Sequence, residues 1–422
     1  MVDSLDARLL TIFRRRTDES IIKGDALKTE NTVDVVVAGA GPVGLTLALF
    51  LARAGRTVTV LEREAGPNEA PRAMVYLHSL LPDLAGIGML DPMRGVGYED
   101  HEGLNLHLAS TGELISIPNT ALEGEVDYPF NVHLGQGEYC RLAIAQLMDM
   151  PNVRLRFNSE VTGFADSKDG VSVQVAGEDD VTARYLVGSD GGQSLVRKQL
   201  GATLEGFTWT DRFVATNVRF PFESMGFFGS NMYVHPEIAC IISRINSDGL
   251  WRVTYQEPES LPVETVEDRI PEHFHKLTGG RDVDVVSFNP YRMHQRLSTK
   301  LRSGNVILAG DAAHLTNPTG GLGLTTGLYD VVLLQETLRA VLDGADEDAL
   351  DYYEAERSRV FREVTSPNAS SLKTLLYESS TPELLEQHIA PIRQLAGTES
   401  GQRQFLHGLD AMRSPALTAA AR

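Results

Sequence analysis

Apolar runs in this chain lead three times into glycine-rich turns, and each turn is followed by a helical pattern. Six mostly apolar residues from Val33 to Ala38 predict a buried strand, a helical stretch runs from Val43 to about Ala54, and a second strand follows from Thr57 to Leu61. Mid-chain, the segment YLVGSDGGQSLVRKQLG again reads as strand, glycine turn and helix. Late in the chain a strand from Val306 to Ala309 delivers a glycine-rich loop, and a helix is predicted from about Leu324 to Leu342. Between these patches Gly103 to Pro118 predicts a hairpin turning at Thr111-Gly112, and residues 212 to 256 carry strand patterning with a turn at Asn246 to Gly249. Residues 346 to 422 read as mostly helical, with Tyr353, Ala355, Val360 and Val364 among the candidate buried positions.

The first turn has the residue types of a dinucleotide site. Gly39 permits the tight turn, Gly41 lets backbone N–H groups approach a pyrophosphate, and Gly44 allows the helix to pack closely on the strand, with Pro42 and Val43 between them. The N-terminal end of that helix offers unpaired donors to an anion. Glu62 closes the second strand, where a carboxylate accepts from ribose hydroxyls, and Arg63 beside it either meets the nucleotide or is a surface charge. In the late loop, Gly310, Asp311, Gly321 and Gly323 suit a flat cofactor lying against bare backbone, with Asp311 accepting from its sugar-like hydroxyls. The middle turn keeps two readings: Asp190 contacts a cofactor, or Asp190 and Ser194 merely start the turn and cap its helix.

Order and spacing of these three patches resemble the single-component (class A) FAD-dependent aromatic hydroxylases, the p-hydroxybenzoate hydroxylase-like family, over roughly residues 31 to 360. The resemblance implies an α/β protein with an FAD-binding Rossmann-like domain of glutathione-reductase type, an inserted smaller β-sheet substrate domain and a helical C-terminal region. It also implies a monooxygenase that uses NADPH or NADH and dioxygen to hydroxylate an electron-rich aromatic or N-heteroaromatic molecule through a flavin 4a-hydroperoxide. Carried over by position, Arg72 meets the FAD pyrophosphate, Gln136 contacts the flavin, the backbone at Leu324 and Thr325 touches the isoalloxazine, and Pro318 lines the reaction cavity. In the strand pair around Arg244, that arginine aligns with one that holds an aromatic carboxylate, and Tyr233 lies near a tyrosine that relays a phenol proton. Ile242 stands where the family has Ser and Arg252 where it has Tyr, which argues against p-hydroxybenzoate itself.

Alternatives remain at this stage. Arg244 and Arg252 bind substrate or are outward charges of an amphipathic sheet; Met225, Phe227 and Phe228 line an apolar pocket or pack in a loop or core; His314 polarises a group near the flavin or bonds backbone. A flavin-dependent dehydrogenase or halogenase, and a non-catalytic flavin redox sensor, are the competing functions, although the halogenase pattern WxWxIP is missing.

Composition narrows the rest. A chain of 422 residues exceeds one average core. Segments 31–102, 119–205 and 285–345 are assigned to the FAD-binding domain, 103–118 and 206–284 to the substrate sheet, 346–422 to the helical region and 1–30 to an N-terminal extension of unassigned role. A net charge of −19 excludes a phosphate-rich partner such as nucleic acid or an anionic membrane. Two cysteines, Cys140 and Cys240, give no disulfide framework, and no His/Cys spacing suggests a metal. With no secretory core and no apolar run of spanning length, the expectation is a cytoplasmic monomer or homodimer whose partners are a small aromatic substrate and dioxygen.

Overall fold

A run of valines makes Thr32–Ala38 a strand buried on both faces, and the structure, a computed structural model that describes residues 32–379 and 381–417, places it centrally in a parallel sheet. It pairs in parallel with Val58–Leu61 on one side and Val181–Gly188 on the other, while Val153–Arg156 and Val306–Leu308 continue the sheet outward. The register sets Ala38 opposite both Gly188 and Leu61, and Gly188 opposite Leu308. All three glycine turns therefore leave one carboxyl edge of one sheet, where open α/β sheets bind ligands. Helix Pro42–Arg53 packs between helices Gln136–Met148 and Leu322–Leu342, and the hydroxyls of Thr46 and Tyr139 join the first two at 2.6 Å.

A second eight-stranded sheet is built round the long strands Leu204–Arg219 and Asp284–Ser298, which pair antiparallel along most of their length. The hairpin Leu104–Leu108/Glu113–Ile117 completes its far edge by parallel pairing with Ser230–Val234. This corrects the assignment of 285–345 to the nucleotide-binding domain: its first stretch belongs to the second sheet. Pro290 is tolerated there because only Arg296 and Leu297 pair on the outer side, so the strand is an edge strand where the proline stands.

Strand alternation gives the second sheet two unlike faces. Val214, Cys240, Ile242, Trp251, Val253 and Tyr255 form a core under helix Val266–Thr278. Arg252 and Thr254 occupy the other face; Asn217 and Ser243 stand opposite Arg252, Ala215 and Ile241 opposite Thr254. Helices Ser366–Tyr377 and Pro382–Ala396 cover part of this face through Leu375, Leu376 and Ile389, which pack on Leu106 and Met232. Among the described residues no helix is long and apolar enough to cross a membrane. The expected extension at 1–30 and the chain beyond residue 417 lie outside the described residues.

Candidate active site

The first turn is held by its neighbours' backbone. A Cβ on Gly39 would come within 2.5 Å of the Ser189 carbonyl oxygen, and one on Gly44 would overlap the Gly39 carbonyl oxygen, whereas Gly41 faces open space. Glu62 Oε2 accepts from Ala40 N–H at 2.8 Å and Oε1 from Glu64 N–H at 2.9 Å, so the carboxylate is fixed beside the turn with lone pairs to spare. Among the described residues Arg63 pairs with Glu64, at 3.1 Å on the surface. Replacing Gly44 by alanine is expected to lower stability by roughly 1–3 kcal/mol, the cost of overpacking a rigid site. Gly41→Ala should leave stability nearly unchanged and lower cofactor affinity instead. Urea unfolding and flavin titration of the two proteins separate these effects.

Asp190 caps its short helix. Its Oδ2 accepts from Leu195 N–H at 2.8 Å, and Ser194 Oγ accepts from Arg197 N–H at 2.9 Å, while Asp190 Oδ1 is buried without a partner among the described residues. The Arg197 guanidinium then donates to the Ala312 carbonyl at 3.0 Å and the Gly192 carbonyl at 2.7 Å, which ties the middle turn to the late one. Asp311 stays accessible to solvent at the carboxyl edge of the first sheet, yet protein surrounds it closely. That burial raises its pKa against the opposing pull of His314 and Arg72. Arg72 is thus near Asp311, and its exposed side chain belongs to the segment Pro71–Ala73, which the second sheet contacts.

The late loop is pinned from the second sheet. Buried Gln295 accepts from Asn317 N–H at 3.1 Å and donates to Thr316 Oγ1 at 3.0 Å, which fixes the approach to Pro318. The following helix begins at Leu322, two residues before the expected start, so Gly323, Leu324 and Thr325 lie within its first turn, behind Gly321. Gln136 opens helix Gln136–Met148 and is half-buried.

The His314 ring is held by a carboxylate. Its Nε2 lies 2.7 Å from Asp330 Oδ2, and its ring stacks on Phe361 at 5.0 Å. The same carboxylate accepts from Gly310 N–H at 2.9 Å and, through Oδ1, from Arg357 Nε at 2.7 Å. Arg357 continues to the Met412 carbonyl and Ser414 Oγ, each at 2.9 Å. Burial would raise the Asp330 pKa, but His314 and Arg357 outweigh it and hold the carboxyl below its ordinary value. An acid inside an apolar helix was the available signal for Asp330; Arg357, in a charged segment, gave none.

The two sheet residues expected from resemblance are corrected by strand alternation. Tyr233 and Arg244 belong to the face packed under helix Val266–Thr278: Tyr233 stands opposite Cys240, and Arg244 shares the side of Cys240 and Ile242. The Arg244 guanidinium pairs with Glu223 at 3.2 Å, donates to the Asn246 carbonyl at 3.0 Å and lies over the Tyr98 ring at 4.7 Å. Met225 and Phe227 pack in the same core, and Phe228 is exposed.

Arg252 is a cation on the sheet face opposite that core. It is 7% exposed, donates from Nε to Asn217 Oδ1 at 2.7 Å and from Nη1 to the Arg72 carbonyl, and pairs with no carboxylate among the described residues. Burial pulls its pKa down to about 10 against the opposing effect of Tyr291, so it remains charged at neutral pH. Asn289 Nδ2 donates to the Pro71 carbonyl at 3.2 Å, so the sheet grips the cofactor-side segment at two successive residues. Tyr291, Phe213 and Tyr377 continue from Arg252 as an aromatic wall, with ring centroids 6.2 Å and 5.5 Å apart.

Comparison with known proteins agrees with this geometry. Residues 32–367 match the family model described as an FAD binding domain. The chain is 43% identical over 355 residues to the 6-hydroxy-3-succinoylpyridine 3-monooxygenase HspB of Pseudomonas putida (strain DSM 28022 / S16), covering 83% of this chain and 90% of that protein. It is 37% identical over 385 residues to the para-nitrophenol 4-monooxygenase of Pseudomonas sp. (strain WBC-3), covering 89% and 95%. The crystal structure of p-nitrophenol 4-monooxygenase PnpA from Pseudomonas putida DLL-E4 superposes with a TM-score of 0.86 at 35% identity, covering 91% of this chain and 99% of that one.

Proposed function

This chain belongs to the flavin monooxygenase family defined by that FAD binding domain, and from that premise we propose that it hydroxylates a small ring whose ionised hydroxyl is held by Arg252. It is an FAD-dependent aromatic hydroxylase, with NAD(P)H as the reductant typical of the family. The observation that carries the substrate reading is a buried guanidinium with no acidic partner among the described residues, on the sheet face opposite the core under helix Val266–Thr278. An uncompensated buried cation favours an anionic ligand and lowers the pKa of a hydroxyl placed beside it. A phenolate or hydroxypyridine anion pushes electron density onto the ring carbons ortho and para to its oxygen, and at an unsubstituted ortho carbon the incoming oxygen displaces a ring proton. The substrates named for the two relatives both carry a ring hydroxyl with a substituent para to it, and we assign the same pattern to this chain.

When bound and reduced by NAD(P)H, FAD would activate dioxygen, one atom going to the ring and the other leaving as water. Gly41 and the first turn of helix Pro42–Arg53 receive its pyrophosphate together with Arg72, Glu62 takes the ribose, Asp311 the ribityl hydroxyls, and Leu324 and Thr325 the ring edge. The residues support this fit: the protein's own backbone crowds Gly39 and Gly44 but leaves Gly41 open, and Asp311 is accessible to solvent at the carboxyl edge of the same sheet. Asn217 orients Arg252, while Tyr291, Phe213 and Tyr377 keep water from the ring. Gln295 keeps the Pro318 loop in place. Two buried free thiols, Cys140 and Cys240, support a reducing, cytoplasmic setting.

Para-substituted phenols and their O-methyl ethers test the reading. The phenols should perturb the flavin absorbance of the holoenzyme and be hydroxylated, whereas the ethers, which cannot ionise, should be neither bound tightly nor turned over. Equal turnover of both series contradicts it.

A further inference from the structure

At the far end of the aromatic wall from Arg252, helix Ser366–Tyr377 buries a second cation. Lys373 is 2% exposed, and its ammonium lies 4.1 Å from the centroid of Trp209 and 5.9 Å from that of Tyr377. Glu378, half exposed at the end of the helix, accepts a hydrogen bond from the ammonium at 3.1 Å. The indole Nε1 of Trp209 is buried with no hydrogen-bond partner among the described residues. Phe207, exposed at the rim, packs edge-on to the indole at 5.0 Å. On the same helix face Tyr377 reaches the Thr254 carbonyl at 3.4 Å, which places this face over the Arg252 side of the sheet.

Packing alone does not account for this pair. A lysine in a core costs desolvation that a leucine or methionine avoids, and a buried indole N–H ordinarily finds an acceptor. A group that accepts from both the ammonium and the indole N–H satisfies each, and a carboxylate does so with charge complementarity. We propose that Lys373 and Trp209 form a second anion subsite, which selects hydroxylated rings bearing a short side chain that ends in a carboxylate. This inference rests on the ring-hydroxylase reading and names the substrate class more narrowly. Arg252 takes the ring oxygen, the wall of Tyr291, Phe213 and Tyr377 takes the ring, and Lys373 takes the tail.

Three probes test it with purified holoenzyme: a para-hydroxyphenyl ketone ending in a carboxylate, the same ketone ending in a carboxamide, and para-hydroxyacetophenone, which has no tail. Flavin absorbance titration gives dissociation constants, and steady-state kinetics separates KM from kcat. The acid is expected to bind roughly tenfold or more tightly than the carboxamide, with the difference in KM. Lys373→Met should remove that preference, Lys373→Arg should retain it, and Trp209→Phe should reduce it. An acid that binds no better than the carboxamide overturns the proposal, as does a preference that survives in Lys373→Met. Hydroxylation of para-hydroxyacetophenone with neither tailed compound accepted also overturns it. If none of the three is hydroxylated, the ring-hydroxylase reading fails and the subsite falls with it.

Discussion

Asp330→Ala is expected to yield a protein that loses its flavin on purification and is less stable by about 3–5 kcal/mol, the cost of leaving a buried charge without its partner. Three groups depend on this carboxylate: Gly310 N–H, His314 and Arg357. Its removal strands a fully buried guanidinium and frees the turn that positions Asp311. The double variant Asp330→Ala/Arg357→Leu should recover part of the lost stability, because exchanging both members of a buried pair for apolar groups is often near neutral. It should recover less of the flavin affinity, since Gly310 still lacks its acceptor. Because the carboxyl is held below its ordinary value, its stabilising contribution is complete above the usual carboxylate range and is lost as pH falls through the depressed pKa. Urea unfolding across pH, with flavin absorbance as the second readout, measures all three effects. An Asp330→Ala protein as yellow and as stable as the parent contradicts this account of the turn.

For Arg252→Met, kcat/KM toward ionisable phenols should fall by a factor on the order of 10² to 10³, the range measured when one member of a buried charge pair is removed. Folding should not suffer comparably, since the variant removes a buried cation that has no acidic partner. The pH profile carries the more specific signature: without the guanidinium the substrate must ionise unaided, so the ascending limb should move toward the pKa of the free phenol. Arg252→Lys should retain part of the rate. A loss of kcat/KM with an unmoved pH profile would make Arg252 a positioning group for the Pro71–Arg72 segment alone.

The nucleotide half was legible because its signals are local. A valine run, a glycine turn and an acid at the end of the next strand each occupy a few consecutive residues, and parallel pairing then brings Gly39, Asp190 and Gly310 to one edge. The helix after the late loop begins earlier than its apolar pattern suggested, because Gly321 takes the left-handed conformation at φ 69° as its N-cap. The substrate half was less legible. Faces of a sheet exchange with a shift of one residue, so Arg244 and Tyr233 could not be distinguished from Arg252 and Ser243 without the register. Asp330 with Arg357, and Trp209 with Lys373, meet only through tertiary packing, and no local spacing announces either pair. The start of Asp284–Ser298 was misassigned for a related reason: Pro290 interrupts the pattern, and only the edge position explains why the strand continues.

The most direct test of the central claim is the origin of the product oxygen when the FAD-loaded protein turns over a para-substituted phenol with NAD(P)H under isotopically labelled dioxygen. One labelled atom should enter the ring for each NAD(P)H consumed in coupled turnover, and NAD(P)H oxidation should accelerate when the phenol is added. Flavin-dependent NAD(P)H oxidation that yields only hydrogen peroxide with every ring offered, or a product whose new oxygen comes from water, would contradict the account.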